Sequence, residues 1–141
     1  METAVFLAAG AIAFGAGCLA RSWYERDCLV TEEYRIVSEK IHGPEKTIVF
    51  LTDLHNKEFG DQNCRLLDAV QKVKPDVVLS GGDGMVAKKG NSDVEIPRKL
   101  LAELAKEVPV YCGNGNHECR MVWKSDIYGA AYENYRAALE N

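Results

Sequence analysis

Histidine is scarce in these 141 residues: only His42, His55 and His117 occur, and none follows His117. Any site built on imidazole must use these positions. A basic surplus is also missing. The formal net charge is −4, and basic residues run no further than pairs such as Lys88-Lys89, so nothing in the charge points to nucleic acid. No Cys-x-x-Cys occurs, and the five cysteines are an odd number. That excludes a zinc ribbon and a fully closed disulfide framework; free thiols lean towards a reducing compartment. Low-complexity tracts and solenoid-length repeats are absent too, which leaves one globular domain of ordinary size.

What the chain does have is one long charge-free run, Thr3 to Ala20. As a helix these 18 residues span ~27 Å, near the ~30 Å of a bilayer core. Nothing basic precedes the run and Glu2 stands before it, so a retained anchor over residues 1–21 is favoured over a cleaved signal peptide. The expected location is the cell membrane, through a single N-terminal anchor formed by residues 3–20. Arg21 and Arg26 follow the run; Glu25 and Asp27 offset them, so the side of the membrane stays open.

The domain proper is expected over residues 32–141. Glu32–Ile41 reads as a short strand that pairs as a hairpin with the Thr47 strand across the His42-Gly43-Pro44-Glu45 turn. His42 is then a solvated turn residue. The apolar run Ile48-Val49-Phe50-Leu51 is a buried strand and ends in Asp53-Leu54-His55. In extended backbone Asp53 and His55 point to one side, ~7 Å apart. A helix follows from Asp61 to Lys74, with Leu66, Leu67, Val70 and Val73 on one face. A second strand, Asp76–Ser80, runs into Gly81-Gly82-Asp83-Gly84. The next helix is expected to start with Pro97 and end at Lys106. A third strand, Val108–Cys112, runs into Gly113-Asn114-Gly115-Asn116-His117-Glu118. Ser125–Asn141 reads as one helix. Trp123 and the tyrosines read as packing residues.

Each strand end, taken alone, is also good turn chemistry. Parallel strands joined by right-handed crossovers bring all three ends to one edge of the sheet. There Asp53, His55, Asp83, Asn116 and His117 converge, and a turn-only reading has to hold three times. Oxygen and nitrogen donors without thiolate suit a divalent metal.

These blocks resemble the calcineurin-like metallophosphoesterases: Asp53-Leu54-His55, Gly82-Asp83 and Gly115-Asn116-His117-Glu118 look like the first three signature blocks of that family, over roughly Lys46 to Cys119. The charge-free N-terminal run and the Asp-Leu-His-Asn form resemble its membrane-associated bacterial branch. The resemblance implies an α/β fold: the N-terminal half of a metallophosphoesterase sandwich, a mainly parallel βαβαβ unit with ligands at strand C-terminal ends. It implies two divalent metal ions, with Mn, Fe and Zn all open. Asp53 and His55 would hold the first, Asp83 would bridge both, and Asn116 would bind the second. His117 would contact the phosphate and protonate the leaving oxygen, with Glu118 orienting His117. The activity implied is hydrolysis of a phosphomonoester or phosphodiester by a two-metal-activated hydroxide. The partner is a phosphate-ester substrate, with lipid-linked phosphates attractive beside an anchor. The family completes its site with a further His and a Gly-His-x-His block, which these residues lack. The expectation is therefore a fragment of a longer enzyme, itself inactive, rather than a degenerate paralogue. The alternative is a membrane-tethered, non-catalytic metal- or phosphate-binding module.

Overall fold

The computed structural model describes residues 2–90 and 92–140; within the first helix, the side chains of residues 2–5 and 8 lie outside that description. The chain forms two compact units, residues 1–32 and 33–141.

The first unit is one helix, α1 (Glu2–Asp27). Arg21 Nε pairs with Glu25 one turn on, at 2.7 Å. Among the described residues no helix is long and apolar enough to cross a membrane. The expected span over residues 3–20 therefore finds no support, although its residues 3–5 and 8 fall partly outside the described positions. Gly10, Gly15 and Gly17 dilute its apolar character, and its last turns carry Arg21, Glu25, Arg26 and Asp27.

The second unit is built on three short parallel strands, β1 (Ile48–Leu51), β2 (Val77–Ser80) and β3 (Val110–Cys112). They lie side by side in that order, with Ile48 opposite Val77 and Val78 opposite Val110. Helix α2 (Cys64–Val73) joins β1 to β2, and α3 (Glu95–Ala105) joins β2 to β3. Crossovers of one hand, moving in one direction across the sheet, put both helices on the same face. That face is the core, where Leu66, Val70, Val78, Leu100, Leu101 and Leu104 are buried. On the opposite face Ile48, Phe50 and Tyr111 are 56%, 63% and 65% exposed.

The strand expected at Glu32–Ile41 does not form; the backbone there is irregular, and Tyr34, Ile36 and Val37 are exposed. Ile36 and Val37 are adjacent, so a strand would point them to opposite faces and neither face would be apolar. No hairpin with β1 is made.

The helix boundaries also shift. A single 3-10 turn, Asp61–Asn63, precedes α2. Buried Asn63 holds the entry to α2 by accepting the Phe59 N–H on Oδ1 at 3.0 Å. Helix α3 starts two residues before Pro97. The first turn of a helix makes no backbone bonds through its N–H groups, so proline is tolerated there. Asp93 Oδ1 takes the Glu95 N–H at 2.9 Å.

The helix expected from Ser125 onwards is two, α5 (Ser125–Tyr128) and α6 (Ala131–Glu140), with Asn141 outside the described residues, and a further helix, α4 (Asn116–Trp123), precedes them. Gly129, at φ 58°, ends α5 in a conformation side-chain-bearing residues avoid. Met121 of α4 and Tyr135 of α6 bury Met85 and Ala87 from the loop after β2 in a second small core.

Candidate metal centre

The edge carrying the three strand ends is zipped by backbone bonds beyond the strands. Asp53 N–H donates to the Gly82 carbonyl at 3.1 Å, His55 N–H to Asp83 O at 3.0 Å, and Asn56 N–H to Gly84 O at 2.8 Å. The loop after β1 is not extended. Asp53, His55 and Asn56 have φ of 56°, 51° and 61°, and Asp83 has 52°. Such left-handed conformations are best tolerated by Asn, Asp and His among residues with a Cβ, and they gather where a structure holds strain for a purpose. The expected same-side geometry from an extended backbone is thus replaced by a left-handed turn. Asp53 Oδ1 still lies 3.7 Å from His55 Nε2.

The loops after β2 and β3 touch backbone to backbone. A Cβ on Gly82, itself at φ 90°, would sit 2.0 Å from Gly115 N, and one on Gly115 would sit 2.5 Å from Asp83 Cγ. Only glycine permits this approach. It lets α4 begin directly over Asp83. The His117 N–H donates to Asp83 Oδ1 at 2.6 Å, and the Asn116 N–H also bonds the Asp83 carboxylate. Burial pushes the Asp83 carboxyl up, but the two amides outweigh it, with smaller help from the His117 and His55 imidazoles. The net result is a carboxyl held below its ordinary range and ionised at neutral pH.

Glu118 is 2% exposed and accepts three backbone N–H groups. Oε2 takes Asp83 N at 2.9 Å and Gly115 N at 3.0 Å, and Oε1 takes Gly84 N at 3.3 Å. It therefore fixes the Asp83 turn against the start of α4. It was expected to orient His117, and it holds the backbone around Asp83 instead. Residues i and i+1 on a helix point ~100° apart, so Glu118 turns away from its neighbour.

The rings of His55 and His117 meet edge to face with centroids 5.1 Å apart. His55, Asp83 and His117 can each offer one ligand atom such that all lie within 4.8 Å of one another. Two imidazoles and an ionised carboxylate are a donor set that fits a first-row divalent cation.

A family model for calcineurin-like phosphoesterases matches residues 46–140. The chain belongs to the calcineurin-like phosphoesterases. No curated protein and no solved structure matches it.

As a phosphoesterase domain, it carries carboxylate and imidazole side chains at the ends of its three strands. The structure brings His55, Asp83 and His117 together and puts Asp53 beside His55. Asn116 is exposed and reaches Asp83 through its backbone N–H. Three neighbours were not singled out from sequence. Asn56 donates from Nδ2 to Asp93 O at 3.1 Å, while its buried Oδ1 has no partner among the described residues. Ala87 N–H bonds His117 Nδ1 at 3.0 Å, and Arg120 stands beside them. Asn56 follows the Asp-Leu-His block directly and was legible as part of it. Ala87 acts through its backbone, which leaves no mark in a sequence.

Proposed function

We propose that this domain hydrolyses phosphate esters, monoesters or diesters, with divalent metal ions held at the edge of the parallel sheet. The observation that carries the reading is the meeting of His55, Asp83 and His117 at the ends of three successive strands, with Asp83 ionised. Asp53, His55 and Asp83 would hold a first ion, with Asp83 and the Asn116 side chain turned to a second. Bound ions would supply positive charge to the phosphoryl oxygens and a nucleophilic water at neutral pH.

The chain's own residues do the rest. The amides of Asn116 and His117 keep Asp83 charged and aimed. Glu118 keeps those amides in place. His117 stands beside the ligands and serves the leaving oxygen. With no histidine after His117, a second ion would rest on few donors here. In any longer form that carries a Gly-His-x-His block, its histidines would complete that shell.

A place at the cell membrane and a lipid-linked phosphate enter the proposal only through the charge-free run of residues 3–20. Fractionation with and without residues 1–21 tests both. The test of the main reading is metal analysis with nitrophenyl phosphate and bis-nitrophenyl phosphate hydrolysis under added manganese. It is run on this chain and on any longer form carrying Gly-His-x-His. The longer form should turn over and its Asp83→Asn variant should not. Metal uptake by the longer form without turnover on either ester would favour the non-catalytic module instead.

A further inference from the structure

Among the described residues His117 meets only hydrogen-bond donors at Nδ1. The Ala87 backbone N–H reaches it at 3.0 Å. Arg120 Nη1 lies 3.4 Å from the same nitrogen and donates to the Ala87 carbonyl at 3.1 Å. Neither a peptide N–H nor a guanidinium can accept a hydrogen bond. Nδ1 must then present its lone pair, and a neutral ring carries its hydrogen on Nε2. The support for this is rigid: Ala87 and Met85 are fully buried against Met121 and Tyr135. Arg120 follows His117 by three residues on α4, the spacing at which helix side chains are neighbours.

We propose that the Ala87 amide and Arg120 are positioning groups that lock the His117 ring in the Nε2–H form, which fits the leaving-oxygen role already given to His117. In that form neither nitrogen is open to a cation, since one lone pair is engaged and the other nitrogen bears hydrogen. Of the three clustered groups, His55 and Asp83 then remain as ligands, with Asp53 beside them. The chemical meaning rests on the phosphoesterase reading; the state of the ring does not.

The experiment is nitrogen-15 spectroscopy of the imidazoles in the metal-free 141-residue chain, at about two pH units above the ordinary imidazole value of ~6.5. With three histidines the spectrum is simple to assign. His117 should show one fixed form, hydrogen on Nε2 and an acceptor at Nδ1. His42, exposed in its turn, should show the average of two exchanging forms and serves as the internal reference. Hydrogen on Nδ1 of His117, or averaging equal to that of His42, overturns the proposal. Arg120→Met should speed hydrogen exchange of the Ala87 amide by about five- to tenfold, the effect of one lost hydrogen bond. It should also move His117 towards the His42 pattern, while Arg120→Lys, which keeps a donor, should stay near the parent. An unchanged Arg120→Met spectrum removes Arg120 from the proposal, and the unsubstituted chain decides the matter if that variant does not fold. A locked Nε2–H ring here, together with no hydrolysis by a longer form carrying Gly-His-x-His, would sink the phosphoesterase reading and leave the ring assignment standing.

Discussion

Glu118, two residues into α4 from Asn116, accepts the backbone N–H of Asp83 at 2.9 Å, and Asp83 in turn accepts the backbone N–H of His117 at 2.6 Å. Two carboxylates thus lace the turn after β2 to the helix after β3, Glu118 through the backbone of Asp83 and Asp83 through the backbone of His117. Removing the Glu118 carboxylate should expose the weakness of that joint. Glu118→Ala leaves three N–H groups, two of them buried, without that acceptor and should cost on the order of 4 kcal/mol. Glu118→Gln keeps one acceptor oxygen but turns an amide against donors, and should cost about 2 kcal/mol. Urea unfolding midpoints check both. A loss under ~1 kcal/mol for the alanine variant would contradict the account.

The parallel sheet and its functional edge were legible because each strand is an apolar run that stops at a polar cluster, although β1, expected to be buried, leaves Ile48 and Phe50 exposed. Ile48–Leu51 before Asp53 and Val77–Ser80 before Asp83 are examples. What the sequence concealed was backbone. Asp53 and His55 were expected on one side of an extended chain; left-handed φ values bring them together instead, and no residue pattern distinguishes the two routes. Glu118 stands next to His117 in sequence and was read as its support, but the helix turns it onto the Asp83 amide. The Glu32–Ile41 segment has strand-like residues without a single apolar face. Its fate depended on whether a partner surface existed, which short-range pattern does not encode.

Gly82 and Gly90 separate two costs that are often merged. Both have positive φ, 90° and 82°. A Cβ on Gly90 meets nothing within 4 Å, whereas one on Gly82 meets the Gly115 backbone at 2.0 Å. Gly90→Ala should cost only the conformational term, roughly 1–2 kcal/mol. Gly82→Ala adds a clash with backbone, which cannot rotate away, and should cost about 3 kcal/mol or more. It should also part the two loops that hold Asp83 over α4. Equal losses by thermal or urea unfolding would show that the loops do not need their close contact.

Asp83 links the site to acid stability. Its folded pKa lies below the ordinary carboxylate value because two amides outweigh burial. The unfolded chain therefore binds its proton first as pH falls. Stability from this group is present above about pH 4, the unfolded value, and is lost as pH falls towards the depressed folded value. Between about pH 5 and pH 3 the parent should lose stability faster than Asp83→Asn, which has no such proton to take up. The same variant should weaken divalent-ion binding by about 100-fold or more, because an amide offers no negative charge. Calorimetric titration with manganese measures that arm, and an unchanged affinity would remove Asp83 from the ligand set.

His117→Asn should behave differently from Asp83→Asn in a longer form carrying Gly-His-x-His, where that form turns over. If His117 donates to the leaving oxygen and binds no metal, its loss should leave metal content and the manganese titration nearly unchanged. The rate should fall by ~10²–10³-fold for esters with poor leaving groups, the usual effect of one lost donor at a developing negative charge. Esters of nitrophenol leave with little help, so their loss should be several-fold smaller. A plot of rate against leaving-group acidity should therefore steepen in the variant. The backbone N–H at residue 117 would still hold Asp83, since that bond does not use the side chain. Stability should consequently stay within about 1 kcal/mol of the parent. A variant that loses its metal, or that slows all leaving groups equally, would place the His117 ring among the ligands.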